Sequence, residues 1–481
     1  YNKVMKKIML IYPPGEVYQR GEDRCQINVN ASVANALRAC NDLGYIASAL
    51  KNKNFSVFLK DYPAEKLKIT DFFNDFKREK PDAIFISTTN GSIFYDLDFI
   101  KEIKKINKET VIILKGAIFY NISQEFINNF DFSNVDFLIG AESEFIAPLL
   151  IDAIFNKNEE ITSIQGIAYK NNNEWEINKL EAFPDNLDDL PFPDRSLMKN
   201  SLYINPDTNR PMATITISKG CPFDCIYCLS PVISGKKIRV RSINSIFREI
   251  SECFSKYNIK DFFFKSDTFT ADKNLVTELC NRIIHSELKG KVNWVANSRA
   301  NTLDEETIIK MKEAGCSMIA IGYESGSDES LLKMKKNISV EDSIRITALI
   351  KKHKIKIFGF FLIGFPWETE KHLNLTKELI FKLDTDFIEL SIVTPFFGTE
   401  LYSSIKEKIN NKIFGKDSFK YLISSDNYLS EDYLMNFRKE VVLKYHLRFK
   451  YIIKKLFNKN LTFQVFLNYV KYGIRLIKNY L

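Results

Sequence analysis

The chain has 481 residues, 45% of them hydrophobic and 27% charged, and a formal net charge of +8. That length holds two or three cored domains at roughly 100 to 200 residues each, and the composition excludes a disordered or fibrous chain. Eight cysteines are too sparse for a disulfide framework, and no apolar run reaches the roughly 18 residues of a membrane span.

The opening "KVMKKIMLIYPP" is basic and then apolar, but Pro13 and Pro14 end the run too early for a secretory leader. From Met9 to about Phe155 the runs "IMLIYPP", "FSVFLKD", "DAIFIS", "TVIILKG" and "VDFLIG" alternate with helical patterns, notably Ser32 to Lys51 and Leu97 to Lys105. Five strands separated by helices predict a doubly wound parallel sheet that binds ligands at the carboxyl ends of its strands. Those ends carry Pro13 and Pro14, Asp61, the "STTNG" turn from Ser87, Gly116, and the "GAESE" turn from Gly140. Next, "GIAYKNNNEWEINK" predicts a hairpin about an Asn-rich turn. The Pro- and Asp-rich "FPDNLDDLPFPDRSL" predicts a linker.

From Thr214 the alternation resumes in "ATITIS", "DFFFKS", "KVNWVAN", "SMIAIG", "KIFGFFLIG" and "DFIELSIV". Six βα units predict an open, partial barrel whose chemistry sits on loops after the strands. The first such loop, "SKGCPFDCIYC" from Ser218, places Cys221, Cys225 and Cys228 in CxxxCxxC spacing. Three thiolates are one short of a closed tetrahedral zinc site or a fully protein-ligated cubane, so an iron-sulfur cluster held this way keeps one iron open. The competing reading is a zinc knuckle or three ordinary cysteines, but no Cys or His follows nearby as a fourth ligand. Cys25, Cys40, Cys253, Cys280 and Cys316 read as buried free thiols. Later strand ends carry Asp267 in "KSDTFT", Arg299 in "NSRAN", Glu324 and Ser325 in "GYESGS", and Gly364 in "LIGFPWET". "TPFFGTELY" follows the sixth strand.

The cysteine loop, with Tyr227 before its third cysteine, resembles the cluster motif of the radical S-adenosylmethionine (SAM) superfamily. The resemblance implies a [4Fe-4S] cluster on Cys221, Cys225 and Cys228 whose open iron chelates SAM. An external flavodoxin- or ferredoxin-like reductant would then drive cleavage to a 5'-deoxyadenosyl radical. It assigns SAM contacts to Tyr227, Asp267, Arg299, Glu324, Ser325 and Gly364, and Ser266 departs from the family's second acid. The first region, hairpin and Leu-Pro-x-Pro linker resemble the cobalamin-binding subfamily, in which Ser87, Thr88, Gly116, Gly140 and Glu142 fall where the corrinoid is held. Here "KGA" and "GAESE" depart from paired glycines and a Gly-Glu-Gly-Glu-like turn. No histidine precedes His285, so cobalamin would not be His-ligated.

The expected fold is therefore α/β: a Rossmann-like cobalamin-binding domain (1–155), hairpin and linker (156–205), a partial (β/α)6 radical SAM barrel (206–402) and a basic helical segment (403–481). The implied activity is methylation of an unactivated carbon through methylcobalamin. A cyclising or rearranging radical SAM enzyme keeps the same motifs, and a non-catalytic cluster protein is the alternative from another class. A methylthiotransferase is disfavoured, because the first region offers only Cys25 and Cys40 where that family needs three cysteines. The substrate class stays open among small molecules, lipids and peptides. Free thiols and an oxygen-sensitive cluster suit the cytoplasm. Residues 441–481 carry nine Lys or Arg and no Asp or Glu, interleaved with apolar residues from Leu447 through Phe457 to Ile477. Such a segment suits an anionic membrane surface or a cap over the open barrel edge with snorkelling lysines. Nucleic acid is not expected, since no recognised module accompanies the charge.

Overall fold

The computed structural model describes residues 5–17, 37–408, 429–456 and 461–480. All five predicted strands of the first region form: β1 (Lys7–Tyr12), β2 (Ser56–Asp61), β3 (Ala83–Ser87), β4 (Val111–Lys115) and β5 (Phe137–Ile139). They lie parallel in the order β2-β1-β3-β4-β5. Every residue of β3 is buried, because helices pack on both faces, and two separate apolar cores result. The predicted hairpin, β6 (Ile167–Asn171) and β7 (Glu174–Asn178), does not stand between domains. It continues this sheet antiparallel to β5, covering an edge that would otherwise expose unpaired backbone groups.

The helix predicted from Ser32 begins instead at Asn41 and runs to Asn52; Cys25 and residues 32–36 lie outside the described residues. Arg38 is drawn away from helical geometry by packing, its guanidinium 3.4 Å from the centre of the Phe263 ring. The second predicted helix forms as Ile93–Ile106. The linker is tightly held: buried Arg195 donates to Glu249 (2.6 Å) and to the Thr214 carbonyl (2.9 Å), and Tyr203 donates to Asp61 (2.8 Å).

The second sheet contains β8 (Ile204–Asn205) and β9 (Arg210–Thr216). A two-strand strap, β10 (Ser218–Lys219) and β11 (Arg239–Val240), follows. The sheet resumes with β12 (Asp261–Lys265), β13 (Asn293–Ser298), β14 (Cys316–Glu324), β15 (Lys356–Ile363) and β16 (Phe387–Ile392). Its order is β8-β9-β12-β13-β14-β15-β16, parallel throughout except for β8. Burial alternates along β15. Ile357, Phe361 and Ile363 enter the outer core beneath the helices, while Phe358 and Phe360 face a cavity of about 330 Å³ inside the curl. This is the expected half-barrel. The helix Glu431–His446 closes its β16 edge, with Arg438 donating to the Leu390 carbonyl (2.6 Å) and Tyr445 to that of Thr385 (2.6 Å). The helices Phe449–Leu456 and Phe463–Tyr480 follow, and Tyr451 and Leu476 join the barrel core.

Candidate active site

The cysteine loop leaves the end of β9 through the strap. Gly220 has φ +95°, and a Cβ there would strike the Lys237 carbonyl, so only glycine makes this exit. The loop is pinned from several sides. Cys221 N–H donates to Gly235 O (3.0 Å), Ile226 N–H to Met334 O (3.2 Å), and Leu401 N–H to Ile226 O (2.9 Å). Each sulfur meets a polar group. Arg299 Nη1 donates to Cys225 Sγ (3.1 Å), Ser230 N–H to Cys228 Sγ (3.4 Å), and Thr268 Oγ1 lies 3.7 Å from Cys221 Sγ.

Among the described residues no three His, Cys, Asp or Glu side chains converge on a single ion. Cys253, Cys280 and Cys316 are free and buried as expected, and Cys40 is buried as well. Burial pushes the thiols of Cys253 and Cys280 up to about 12.

The residues read as SAM contacts gather around this loop, and several brace it. Asp267 Oδ2 accepts from Gly220 N–H (2.5 Å). Arg299 is 4% exposed; it also donates to the Lys336 carbonyl and lies 3.8 Å from the Phe223 ring centre. Its fork therefore grips the cluster loop in this structure. Glu324 sits at a β-bulge with φ +66°, the type of strained backbone that gathers at functional sites. Its carboxylate accepts from buried Lys336 (2.6 Å), whose ammonium is 3.4 Å from the Tyr227 hydroxyl. Burial, reinforced by Glu324, Cys225 and Cys228, pushes the Tyr227 hydroxyl well above its ordinary pKa, so it stays protonated.

Ser325 is fully buried, and it and Gly326 bond Thr376 (3.2 and 3.0 Å); this turn is fixed to its helix. Gly364 and Phe365 N–H donate to buried Glu368 (2.8 and 3.1 Å), whose pKa burial raises. Two buried atoms in this cluster, Ser266 Oγ and Asn297 Oδ1, have no hydrogen-bond partner among the described residues. They are unpartnered polar atoms at the ends of β12 and β13. Sequence reasoning missed Lys336, one of the three lysines in "KMKK", because only folding selects which one turns inward.

The strand ends of the first sheet are more occupied than their sequence suggests. A Cβ on Gly116 would strike the Thr88 carbonyl, and one on Gly140 that of Phe119. These glycines therefore admit neighbouring backbone. Glu142 is engaged across to the strap, accepting from Arg239 through both oxygens (2.6 and 2.9 Å), with Lys219 at 3.3 Å; Lys219 also pairs with Glu144. Burial opposes ionisation of Glu142, but Lys219 and Arg239 outweigh it and hold its pKa below the ordinary value. Thr88 N–H donates to the Lys115 carbonyl (2.8 Å). Ser87 Oγ and Thr88 Oγ1 are buried with no hydrogen-bond partner among the described residues, so two of the five present polar atoms at these strand ends.

Residues 215–380 match the radical SAM superfamily. The radical SAM match begins within β9 and ends in the helix Glu370–Leu383, so it spans the cysteine loop and the ends of β12 to β15. The whole chain is similar to an uncharacterized methyltransferase of Pyrococcus horikoshii, 29% identical over 459 residues covering 95% of each. In fold, this chain is similar to OxsB, a cobalamin-dependent SAM radical enzyme solved with aqua-cobalamin bound. The TM-score is 0.71 at 15% identity, over 98% of this chain and 72% of that one. TsrM of Kitasatospora setae, a radical SAM methyltransferase solved with cobalamin and a [4Fe-4S] cluster, gives 0.66 and 17% over 84% and 75%.

Proposed function

We propose that this radical SAM chain is a cobalamin-dependent methyltransferase acting on a small molecule, and that Cys221, Cys225 and Cys228 hold its cluster. The observation that carries the reading is the cysteine loop braced by Arg299 and Asp267 beside orphaned Ser266 Oγ and Asn297 Oδ1. When bound, the cluster supplies one electron to cleave SAM and the corrinoid carries a methyl group to carbon.

The protein's own contribution is placement. Arg299 donates to Cys225 sulfur and so would orient that ligand. Asn297 and Ser266 would accept from the SAM ammonium, and the Glu324 carboxylate, held by Lys336, from ribose hydroxyls. Tyr227, packed edge-on against Phe365 at 5.7 Å, walls the site on one side. The cavity in the curl, lined by Phe263, Phe358, Phe360 and Met318 together with Arg38, Asp207, Lys471 and Arg475, would suit a substrate with an apolar body and polar groups. In the first region Ser87 and Thr88 would fit polar substituents of the corrinoid, whereas Gly116, Gly140 and Glu142 act within the protein. Fold likeness to cobalamin-bound enzymes and the name of the Pyrococcus relative support methyl transfer.

Anaerobic reconstitution with iron, sulfide and cobalamin tests the reading. It predicts about four irons per chain, corrinoid absorbance that survives gel filtration, and 5'-deoxyadenosine on reduction with SAM. Deoxyadenosine without retained corrinoid would remove methyl transfer and leave the cluster; neither signal would remove catalysis.

A further inference from the structure

The last two helices are apolar on two opposite faces, and only one of those faces is covered. In Phe449–Leu456, Tyr451 is buried and the Lys455 ammonium lies 3.4 Å from the Phe387 ring centre. Phe449, Ile452 and Leu456, on the other side, are 79%, 40% and 42% exposed. In Phe463–Tyr480, Val465 and Leu476 are buried, and Tyr472 shares a hydrogen bond with buried His446 (2.8 Å). Opposite them Phe463, Val470, Ile474 and Ile477 are 76%, 39%, 61% and 48% exposed.

Steps of three, four and seven residues place each exposed set on one stripe of its helix. Eight of the sixteen large apolar side chains exposed among the described residues fall between Leu447 and Ile477. That concentration marks a contact surface, unlike the scattered apolar exposure any protein shows.

Charge decides what the surface meets. Residues 441–481 hold nine Lys or Arg and no acid, and exposed Lys450, Lys471 and Lys478 directly follow Phe449, Val470 and Ile477. Two copies of this face would bring cations against cations, whereas an anionic lipid surface complements both the stripe and its flanks. No helix among the described residues is long and apolar enough to cross a membrane, so the contact is one of lying on the bilayer. We propose that the Phe449–Leu456 and Phe463–Tyr480 helices dock the protein on an anionic membrane surface, their inner faces closing the half-barrel while their outer faces meet lipid. This docking is independent of the reaction the barrel performs.

The test is cosedimentation of the full chain with phosphatidylcholine vesicles, with and without phosphatidylglycerol, over a salt series. Expected is about tenfold or greater preference for the anionic vesicles, lost at high salt. The triple variant Phe449→Asp, Phe463→Asp, Ile474→Asp abolishes binding while circular dichroism stays unchanged, and Lys478→Glu weakens binding severalfold. Equal binding to both vesicle types, or undiminished binding by the triple variant, overturns the proposal. So does a wild-type dimer that ignores vesicles and dissociates on the triple substitution, which would assign the face to a second copy.

Discussion

The two sheets of this protein are built from strands of similar length and parallel pairing, yet they bury their side chains differently. β1, β3 and β4 are continuous apolar runs flanked by a core on each face, so the first sheet has no interior to offer. β13 and β15 alternate, one side joining the outer core and the other left half-covered around a cavity. A flat sheet can place ligands only at its strand ends, while a curled one adds an enclosed lumen. The difference explains why the glycines at the ends of the first sheet serve packing, whereas the polar residues at the ends of the second converge on three cysteines.

The sharpest break between the two regions is chemical. Replacing Cys221, Cys225 or Cys228 by Ala lowers SAM cleavage by more than the ~10–100-fold typical of losing an outer partner, measured as deoxyadenosine and bound iron, with the melting of the first domain unchanged. Arg299→Lys keeps the charge but loses the fork. It is expected to reduce cleavage about 10–100-fold and to shift the cluster's reduction potential, and normal values of both would remove Arg299 from the site.

The lock between the regions gives the next effect. Glu142→Gln leaves Arg239 short of its carboxylate, so stability falls by about 3 kcal/mol, read from urea unfolding at neutral pH. Because the folded-state pKa of Glu142 lies below its ordinary 4.5, its contribution is complete above that value and disappears as pH falls through the folded one. Glu142→Gln therefore flattens acid unfolding, and an unchanged acid limb would show that the lock does not couple to folding.

The smallest effect belongs to the first sheet alone. Asp96 is fully buried, bonded by Ser92 (2.7 Å), and burial raises its pKa to about 7. A raised acid favours the protonated fold, so stability declines as pH climbs from about 4 toward 7. Asp96→Asn raises the urea midpoint at pH 8, leaves it unchanged at pH 4, and does not alter SAM cleavage by the half-barrel. A variant no more stable at pH 8 would count against a buried, protonated Asp96.

Strand runs, the hairpin and the cysteine spacing were legible because they depend on local periodicity and on ligands three or four residues apart. The helix start at Asn41 was not, since Arg38 is claimed by Phe263, far away in the chain. Lys336 and the partners of Glu142 were equally hidden, for an ion pair between residues 12 or 97 positions apart leaves no local pattern. Gly116 and Gly140 show the reverse error: a glycine in sequence marks a close approach, but only the fold says whether backbone or ligand makes it.

By itself, then, the sequence determined the kind of sheet each half forms and the triad of sulfurs between them, since both follow from neighbours along the chain. The tertiary structure alone decided which charged groups brace that triad, what fills the strand ends, and which face of the basic helices stays bare. Those are set by contacts between distant residues, and such contacts exist only once the chain has closed on itself.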